Sequence, residues 1–302
     1  MGTRIEAAAT AHRLGHLWGR GAVHLTDLAA NACLRHAHHD ADELDLLINA
    51  GMYKNHEIAE PALASIIQED IGANPGHPPR LGHHGTFSFD VVDGACGVLT
   101  AAQLVDSYVG HGAAKLGMIV AADVDPAPHT SRGYPFAPAG GALLIANAEG
   151  DRGFVKFARR TFPEHAALFE SHLRWDPHAG LAHRGKNVLE VFEAPEFATR
   201  CVEDAAVVTR ALLEEVDVPV ARVDLLIASQ YPRAFAAQLA RALDIAPDRV
   251  PRVATTLEAT HTAGPIAALE AAIESGAFRR AHHVLFVTAG SGLSVSAALY
   301  RA

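Results

Sequence analysis

The sequence predicts an α/β fold built from two duplicated halves, each with the element order βαβαβαββ. The first observation is an internal repeat, because residues 45–50 (DLLINA) recur as residues 224–229 (DLLIAS). The second is that short apolar runs of strand length alternate with longer amphipathic stretches in the same order around both copies. Alternating strands and helices build sheets with helices on their faces. We therefore expect two such units, related by a pseudo-twofold axis, with their matching turns facing each other.

Each half supplies eight elements in chain order. An opening strand and a helix precede the repeated strand, which is followed by a helix that a proline opens and by a β-rich segment. A turn of small residues then starts an Ala-rich helix, and two strands close the half. In the first half we predict these elements at residues 4–10, 23–37, 45–50, 61–72, 86–92, from 94 onward, 116–122 and 141–148. In the second half we predict them at residues 153–160, 196–215, 224–229, 232–245, 252–257, from 260 onward, 284–289 and 293–300.

The repeat also predicts the division of the chain. Residues 1–152 form the N-terminal half and residues 153–302 form the C-terminal half. Residues 162–194 have no counterpart in the first half and are rich in His, Arg and Pro. We interpret that segment as an insertion or lid rather than as part of the core.

The composition excludes several classes of protein. The apolar runs are far shorter than the roughly 20 residues that cross a bilayer, and no export signal is evident. A net charge of −9 offers no electrostatic surface for nucleic acid. Three cysteines are too few for a disulfide framework and indicate a reducing compartment. We expect a cytoplasmic protein without a membrane or nucleic-acid partner.

A turn of small residues places Cys96 at the start of the third helix of the first half. Gly94, Ala95 and Gly97 leave its sulfur uncrowded. The positive end of the helix dipole and the nearby backbone N–H groups are expected to lower the thiol pKa. A free cysteine is more often a small buried hydrophobic residue. This context favours a nucleophile that forms a covalent intermediate.

The matching turn of the second half carries His261, one residue out of register with Cys96. If the two halves face each other, the imidazole can reach the sulfur. It would then act as the base for the thiol and as the acid or base for an acceptor. A histidine in a turn is more often a surface residue. The symmetric placement opposite a candidate nucleophile favours the catalytic interpretation.

A second small-residue turn, formed by Gly290, Ser291 and Gly292, lies between two predicted strands. Such a turn brings backbone N–H groups close to a ligand. We expect the N–H groups of Ser291 and Cys96 to form an oxyanion hole. A tight turn without a catalytic role explains the same residues.

The remaining cysteines and the histidine clusters carry no comparable signal. Cys33 and Cys201 lie inside helical patterns, where a buried structural role is expected. No metal-ligand spacing accompanies the histidine clusters, and no phosphate-binding loop is present. We therefore expect neither a metal nor a cofactor. The clusters comprise His36, His38 and His39 in one segment, and His83 and His84 in another.

Four motifs resemble the β-ketoacyl-ACP synthase III branch of the thiolase superfamily, over nearly the whole chain. They are residues 60–68, similar to a dimer-side helix; 89–97 (FDVVDGACG), similar to the nucleophile segment; 136–142, similar to a Phe-Gly-Asp-Gly-Ala loop; and 290–293, similar to a triple-glycine turn. The resemblance implies a five-layered αβαβα thiolase fold and a homodimer. It also implies ping-pong transfer of an acyl group from CoA or acyl carrier protein.

The chain departs from that family pattern at three places. Ser229 and Gln230 stand where the family has the His-Gln of its His-Gln-Ala-Asn segment, so the usual catalytic histidine is a serine. His261 stands where the family has its catalytic asparagine. The long N-terminal Trp/Arg-bearing segment with which the family helps to bind the CoA adenine is missing, because the chain runs almost directly from residues 4–10 into the helix at residue 23. Ser229 and Gln230, with Gly290 and Gly292, are candidate supporting residues.

These departures favour acyl transfer over condensation. Without the His–Asn pair, a malonyl enolate loses hydrogen-bond donors that are typically worth about 3–4 kcal/mol each. A Cys with one His still suffices to load an acyl group and to pass it to a hydroxyl or amine. We expect an acyltransferase that acts on a small-molecule acceptor in secondary metabolite or lipid biosynthesis. The alternatives are a carbon–carbon condensing enzyme and a non-catalytic partner of an active paralogue. The missing adenine-binding segment also predicts a preference for carrier-bound donors over CoA.

Overall fold

A computed structural model describes residues 2–12, 21–54, 61–74, 85–127, 130–179 and 185–302. Within these ranges, no helix is long and apolar enough to span a membrane. The described strands are β1 (Gly2–His12), β2 (Leu46–Asn49), β3 (Phe87–Asp90), β4 (Leu116–Asp123), β5 (Ala139–Ala148), β6 (Gly153–Thr161), β7 (Phe169–Asp176), β8 (Lys186–Glu193), β9 (Leu225–Ala228), β10 (His283–Gly290) and β11 (Ser294–Arg301). The described helices are α1 (Ala22–Ala37), α2 (Leu63–Asp70), α3 (Gly97–Gly110), α4 (Phe197–Glu215), α5 (Phe235–Ala242), α6 (Gly264–Glu274) and α7 (Ala277–Arg280).

The strands of the first half form one sheet in the order β1-β5-β4-β2-β3. β2 runs parallel to β3 and β4, whereas β5 is antiparallel to β1 and β4. The β1–β5 register shifts after Ile5, where the backbone N–H donates to the hydroxyl of Tyr300 on β11 at 3.0 Å. A residue of the second half therefore satisfies a donor that this irregularity frees.

The second half repeats this plan with four strands, in the order β6-β11-β10-β9. β9 and β10 are parallel, and β11 is antiparallel to both β10 and β6. The strand predicted at residues 252–257 is wrong. A 3₁₀ turn occupies Thr255–Leu257, and the Leu257 N–H donates to the carbonyl of Ala254 at 2.8 Å. Because Thr255–Leu257 forms a turn rather than an extended strand, it does not pair with β9, and β9 is the edge strand of the second sheet.

Helices cover the sheets in five layers. α1 and α2 pack on the outer face of the first sheet, and α4 and α5 pack on the outer face of the second. α3 and α6 lie between the sheets and contact both of them. The central layer is made mainly of small and aliphatic residues, which lets the two sheets approach the helices closely. The αβαβα order predicted from the resemblance is thus present, and the third helix of each half is buried at its centre.

Within residues 162–194, the described strands β7 and β8 pair in antiparallel orientation. Phe169 and Leu189 point into the core, where Phe169 lies 6.1 Å from the ring of Phe136. The expectation that this segment stays outside the core is therefore wrong for its inner face. Successive side chains of β7 and β8 point to opposite faces of the pair, so one face packs on the core while the other remains exposed.

Candidate active site

Cys96 lies where a 3₁₀ turn (Gly94–Cys96) passes into α3. The turn packs against the end of β10, where a Cβ placed on Gly290 would lie 2.6 Å from the Cβ of Ala95. Only glycine fits at that position without a shift of the turn. Gly290 and Ser291 therefore lie beside the nucleophile turn. Cys96 itself is only 1% exposed.

An ion pair from the second half holds the residues before Cys96. The guanidinium of Arg159 on β6 donates to both carboxylate oxygens of Asp93, one of these contacts measuring 2.6 Å. The hydroxyl of Thr100 on α3 donates to the same carboxylate at 2.6 Å. The nucleophile turn is thus fixed both by its own helix and by the opposite half of the chain.

Strand carbonyls surround the Cys96 sulfur. The thiol donates to the carbonyl of Ser294 at 3.5 Å and to that of Thr288 at 3.9 Å. Burial raises the pKa of the Cys96 thiol, and hydrogen bonds from Ser296 and Thr288 oppose that rise without reversing it. The prediction of a lowered pKa is therefore wrong for this closed conformation. The removal of the sulfur from water outweighs the favourable end of α3.

The Cys96 backbone N–H donates to the carbonyl of Asp93 at 3.1 Å. It closes the 3₁₀ turn instead of pointing at an empty position. Ser291 lies beside the turn, since a Cβ on Gly94 would be 3.5 Å from its hydroxyl oxygen. An oxyanion hole from these two residues stays a prediction, and it requires the Cys96 N–H to exchange its present partner.

His261 lies in the turn before α6, and its side chain is 5% exposed. Its Nδ1 is 3.4 Å from a carboxylate oxygen of Asp123, beyond good hydrogen-bond distance but within ion-pair range. The imidazole stacks on Phe136 with a centroid distance of 4.3 Å, and the ring of Tyr53 lies 5.5 Å away. These contacts fix the plane of the ring and leave Nε2 as the nitrogen that does not face the carboxylate.

Asp123 is the site residue that sequence reasoning missed. It ends β4 and is fully buried, and its carboxylate accepts the N–H groups of Met52 (3.0 Å), Tyr53 (2.7 Å) and Thr262 (2.9 Å), and the Thr262 hydroxyl. Burial alone would raise the pKa of Asp123, but the His261 charge and these hydrogen bonds hold it below its ordinary value. An acid inside an otherwise apolar strand was the sequence signal that could have revealed it.

Ser229 and Gln230 follow β9 on the edge that faces α6. The Ser229 hydroxyl accepts the N–H of Ala289 at 3.4 Å, and the Gln230 side chain donates to the carbonyl of Ala228 at 2.9 Å. Neither side chain contacts Cys96 or His261 through a hydrogen bond. Within the described ranges, Cys96 and His261 are not hydrogen-bonded to each other either. The structure thus leaves the predicted direct contact between them unmade.

The other candidates have local partners. The Cys33 thiol donates to the carbonyl of Ala7 at 3.4 Å, and burial raises its pKa to about 12. Burial likewise raises the pKa of Cys201 in the core beneath α4. His39 pairs with Glu43, whereas residues 83 and 84 lie outside the described ranges. Among described residues, no three His, Cys, Asp or Glu side chains converge as metal ligands would.

Comparison with known proteins identifies relatives along the whole chain. Residues 213–302 match the family model of the 3-oxoacyl-[acyl-carrier-protein] synthase III C-terminal region. The β-ketoacyl-[acyl-carrier-protein] synthase III of Rhizobium rhizogenes is 28% identical over 94% of this chain and 85% of its own length. The enzyme of that name from Aquifex aeolicus is 26% identical over 92% of this chain and 84% of its own length.

Solved structures share the fold. The Aquifex aeolicus synthase III structure superposes with a TM-score of 0.78 at 21% identity, covering all of both chains. The Xanthomonas campestris OleA structure superposes with a TM-score of 0.78 at 16% identity, covering 100% of this chain and 99% of its own. The priming β-ketosynthase of the R1128 polyketide pathway superposes with a TM-score of 0.79 at 17% identity, covering 99% of this chain and 96% of its own. The resemblance and the thiolase fold that the sequence motifs predicted are confirmed.

Replacing Asp123 with Asn should lower the free energy of unfolding by about 3 kcal/mol at neutral pH, because it removes one partner from a buried charge network. The folded-state pKa of Asp123 lies below its ordinary value of 3.8. The carboxylate therefore contributes stability that is fully present above that value and is lost as pH falls through the lower folded value. Urea unfolding of wild type and Asp123→Asn should show a constant gap from about pH 5 to 7, closing below about pH 4. A gap that widens on acidification contradicts the assignment.

Proposed function

We propose that this chain is a β-ketoacyl-ACP synthase III-like member of the thiolase superfamily and that it acts as an acyltransferase. Cys96 takes an acyl group from an acyl thioester, and the group then passes to a hydroxyl or amine of a small-molecule acceptor. The reaction belongs to secondary metabolite or lipid biosynthesis. No cofactor takes part, because the thioester supplies the activated acyl group.

The observation that carries this proposal is the buried pair of His261 and Asp123. The Nδ1 of His261 faces a carboxylate at 3.4 Å, and the ring stacks on Phe136, so the imidazole is held in one orientation. That is what a general base needs when an acceptor must lose a proton. An acceptor that arrives as a carbanion formed by decarboxylation needs no such base.

The reaction has two steps. In loading, His261 takes the proton of the Cys96 thiol, and the sulfur attacks the thioester carbonyl carbon to form the new C–S bond. The bond to the donor sulfur breaks, and that sulfur takes the proton from His261. In transfer, Nε2 of His261 takes the proton of the acceptor O–H or N–H, and the acceptor attacks the acyl carbon. The Cys96–acyl bond breaks, and the Cys96 sulfur takes the proton from His261, which restores the thiol. Cys96 is closed off at 1% exposure, so the surrounding side chains must move before a donor enters.

Ser229 favours transfer over decarboxylative condensation. Its hydroxyl is buried and already accepts the Ala289 N–H. Among the described residues it forms no hydrogen bond with Cys96 or His261, and one serine hydroxyl replaces the histidine donor of the family pattern, so we expect it to add little to the stabilisation of an enolate at Cys96. Condensation with an already activated carbon acceptor is the second candidate, because Cys96 and His261 are also sufficient for that reaction. Product structure separates the two, since condensation gives a ketone and transfer gives an ester or amide.

The donor is proposed to be acyl carrier protein rather than CoA. The alternative surface for nucleotide phosphates is the Arg-rich stretch of residues 159–184, and three of its described arginines already have other partners. Arg159 binds Asp93, Arg160 lies over the Phe162 ring at 4.7 Å, and Arg174 approaches Glu190 at 3.3 Å. A phosphate would have to displace these contacts. The carrier needs only its pantetheine arm to reach Cys96.

The assembly is proposed to be a cytoplasmic homodimer. β3 is the edge strand of the first sheet, and it ends beside the exposed side chain of Val92 and carries the exposed ring of Phe87. A second copy can cover that edge. The alternative hypothesis is that the chain only supports an active paralogue. A homodimer that becomes acylated on its own would exclude that hypothesis.

Loading is tested by incubating the protein with acyl thioesters and measuring its intact mass. We expect one acyl adduct on wild type and none on Cys96→Ala, because only the thiolate of Cys96 forms the intermediate. Cys33→Ala is the matched control and should retain the adduct, since Cys33 is buried and held by Ala7. An adduct that persists on Cys96→Ala contradicts the proposal.

His261→Ala should slow transfer to the acceptor by about 10²- to 10⁴-fold, the usual contribution of a general base. The measurement is the decay of pre-formed acyl-Cys96 after addition of an acceptor amine or alcohol. His283→Ala is the control, because His283 lies at the opposite end of β10 and bonds to the carbonyl of Arg222. Equal decay in His261→Ala and wild type would remove His261 from the mechanism.

Matched carrier-bound and CoA-bound donors with the same acyl chain test the donor. We expect a lower apparent affinity for the CoA donor with a similar maximal loading rate, because contacts to the nucleotide bind ground and transition states alike. Single-turnover loading of Cys96 over a range of donor concentrations separates the two parameters. Equal or tighter apparent affinity for CoA would show that another surface binds the nucleotide.

A further inference from the structure

Two hydroxyl groups converge on the Cys96 sulfur from the sheet behind it. Thr288 on β10 and Ser296 on β11 are directly opposite each other in the antiparallel register. Opposite residues of an antiparallel pair project to the same face of the sheet. Both side chains are buried, Thr288 completely and Ser296 at 5% exposure, and the Cys96 sulfur lies 3.9 Å from the backbone carbonyl of Thr288. Both hydroxyls oppose the rise in the pKa of Cys96, although the Thr288 hydroxyl makes no hydrogen bond among the described residues.

The Thr288 hydroxyl is unusual because its oxygen is buried and has no hydrogen-bond partner in the described part of the chain. A buried hydroxyl without a partner is destabilising unless another state of the protein supplies one. The nearest change of state belongs to the sulfur. Its thiol now donates to the carbonyls of Ser294 and Thr288, and loss of the proton would leave these carbonyls facing an anion. A thiolate instead needs donors.

We propose that Thr288 and Ser296 form a hydroxyl pair that donates two hydrogen bonds to the Cys96 thiolate and so makes the buried sulfur a usable nucleophile. The pair touches the reacting atom and therefore acts as a catalytic element. The inference rests on the proposed function only in taking Cys96 as the nucleophile. It gives a purpose to two polar residues in strands that are otherwise apolar on this face.

Charged groups near Cys96 do not replace this pair. Asp93 on the nucleophile turn and Arg159 on β6 act on the sulfur with opposite signs, and they are bound to each other. Cys201 on α4 is a thiol whose own pKa is raised by burial. β10 and β11 present to the sulfur only the two hydroxyls and two carbonyls. The substitutions below leave all the charged groups in place.

The test is the pH dependence of Cys96 alkylation by iodoacetamide, followed by peptide mass spectrometry from about pH 6 to 10. Only the thiolate reacts, forming a C–S bond as iodide leaves, so the midpoint of the rate profile reports its acidity. We expect Thr288→Val and Ser296→Ala each to raise that midpoint by about one pH unit, and the double variant to raise it further. Thr288→Ser should keep the wild-type midpoint.

Thr209→Val is the matched control, because Thr209 on α4 also has a fully buried hydroxyl that makes no hydrogen bond, to Cys96 or to any other described residue. Its midpoint should equal that of wild type. Unchanged midpoints in both Thr288→Val and Ser296→Ala overturn the proposal, as does an equal shift in Thr209→Val. If Thr288→Val fails to fold by thermal unfolding, Ser296→Ala decides the question. The assay uses no acyl donor, so shifted midpoints without an acyl adduct would reject the acyltransferase and retain the hydroxyl pair.

Discussion

The buried carboxylate of Asp123 joins the two halves of the molecule where the end of β4 meets the turn before α6. Taking a carboxylate out of water costs several kcal/mol, so it remains charged only where donors surround it. Here Met52 and Tyr53 donate from the first half, while Thr262 and the imidazole of His261 approach from the second. The packing of α6 against the first sheet, and with it the position of the imidazole, depends on this cluster.

The cysteine lies in a different electrostatic setting. Its sulfur is buried among strand carbonyls that suit a thiol, and burial raises its pKa. The imidazole, by contrast, is held beside a carboxylate that suits a cation. The thiol of Cys96 and the imidazole of His261 are thus held by different neighbours, the first by backbone carbonyls and the second by a carboxylate.

Sequence reasoning recovered most of the fold because the chain contains its plan twice. The repeat fixed the order of strands and helices and located Cys96 and His261 in equivalent turns. It failed at residues 252–257, where an apolar, β-branched pattern forms a 3₁₀ turn because its N–H groups bond locally. It also failed for the acidity of Cys96, since depth of burial depends on elements distant in sequence. Asp123 was missed because an isolated acid carries no spacing signal.

Each half of this molecule holds in place the candidate catalytic residue of the other half. Arg159 and Gly290 brace the turn of Cys96 from the second half, whereas Asp123 and Phe136 brace His261 from the first. A chimera could combine one half of this chain with the opposite half of a relative. Its two halves would then meet through contact residues that were not matched to each other. A larger side chain at position 290, for example, would collide with Ala95 across the junction. A substitution at one of these contacts therefore has to fit the residue that it meets in the other half.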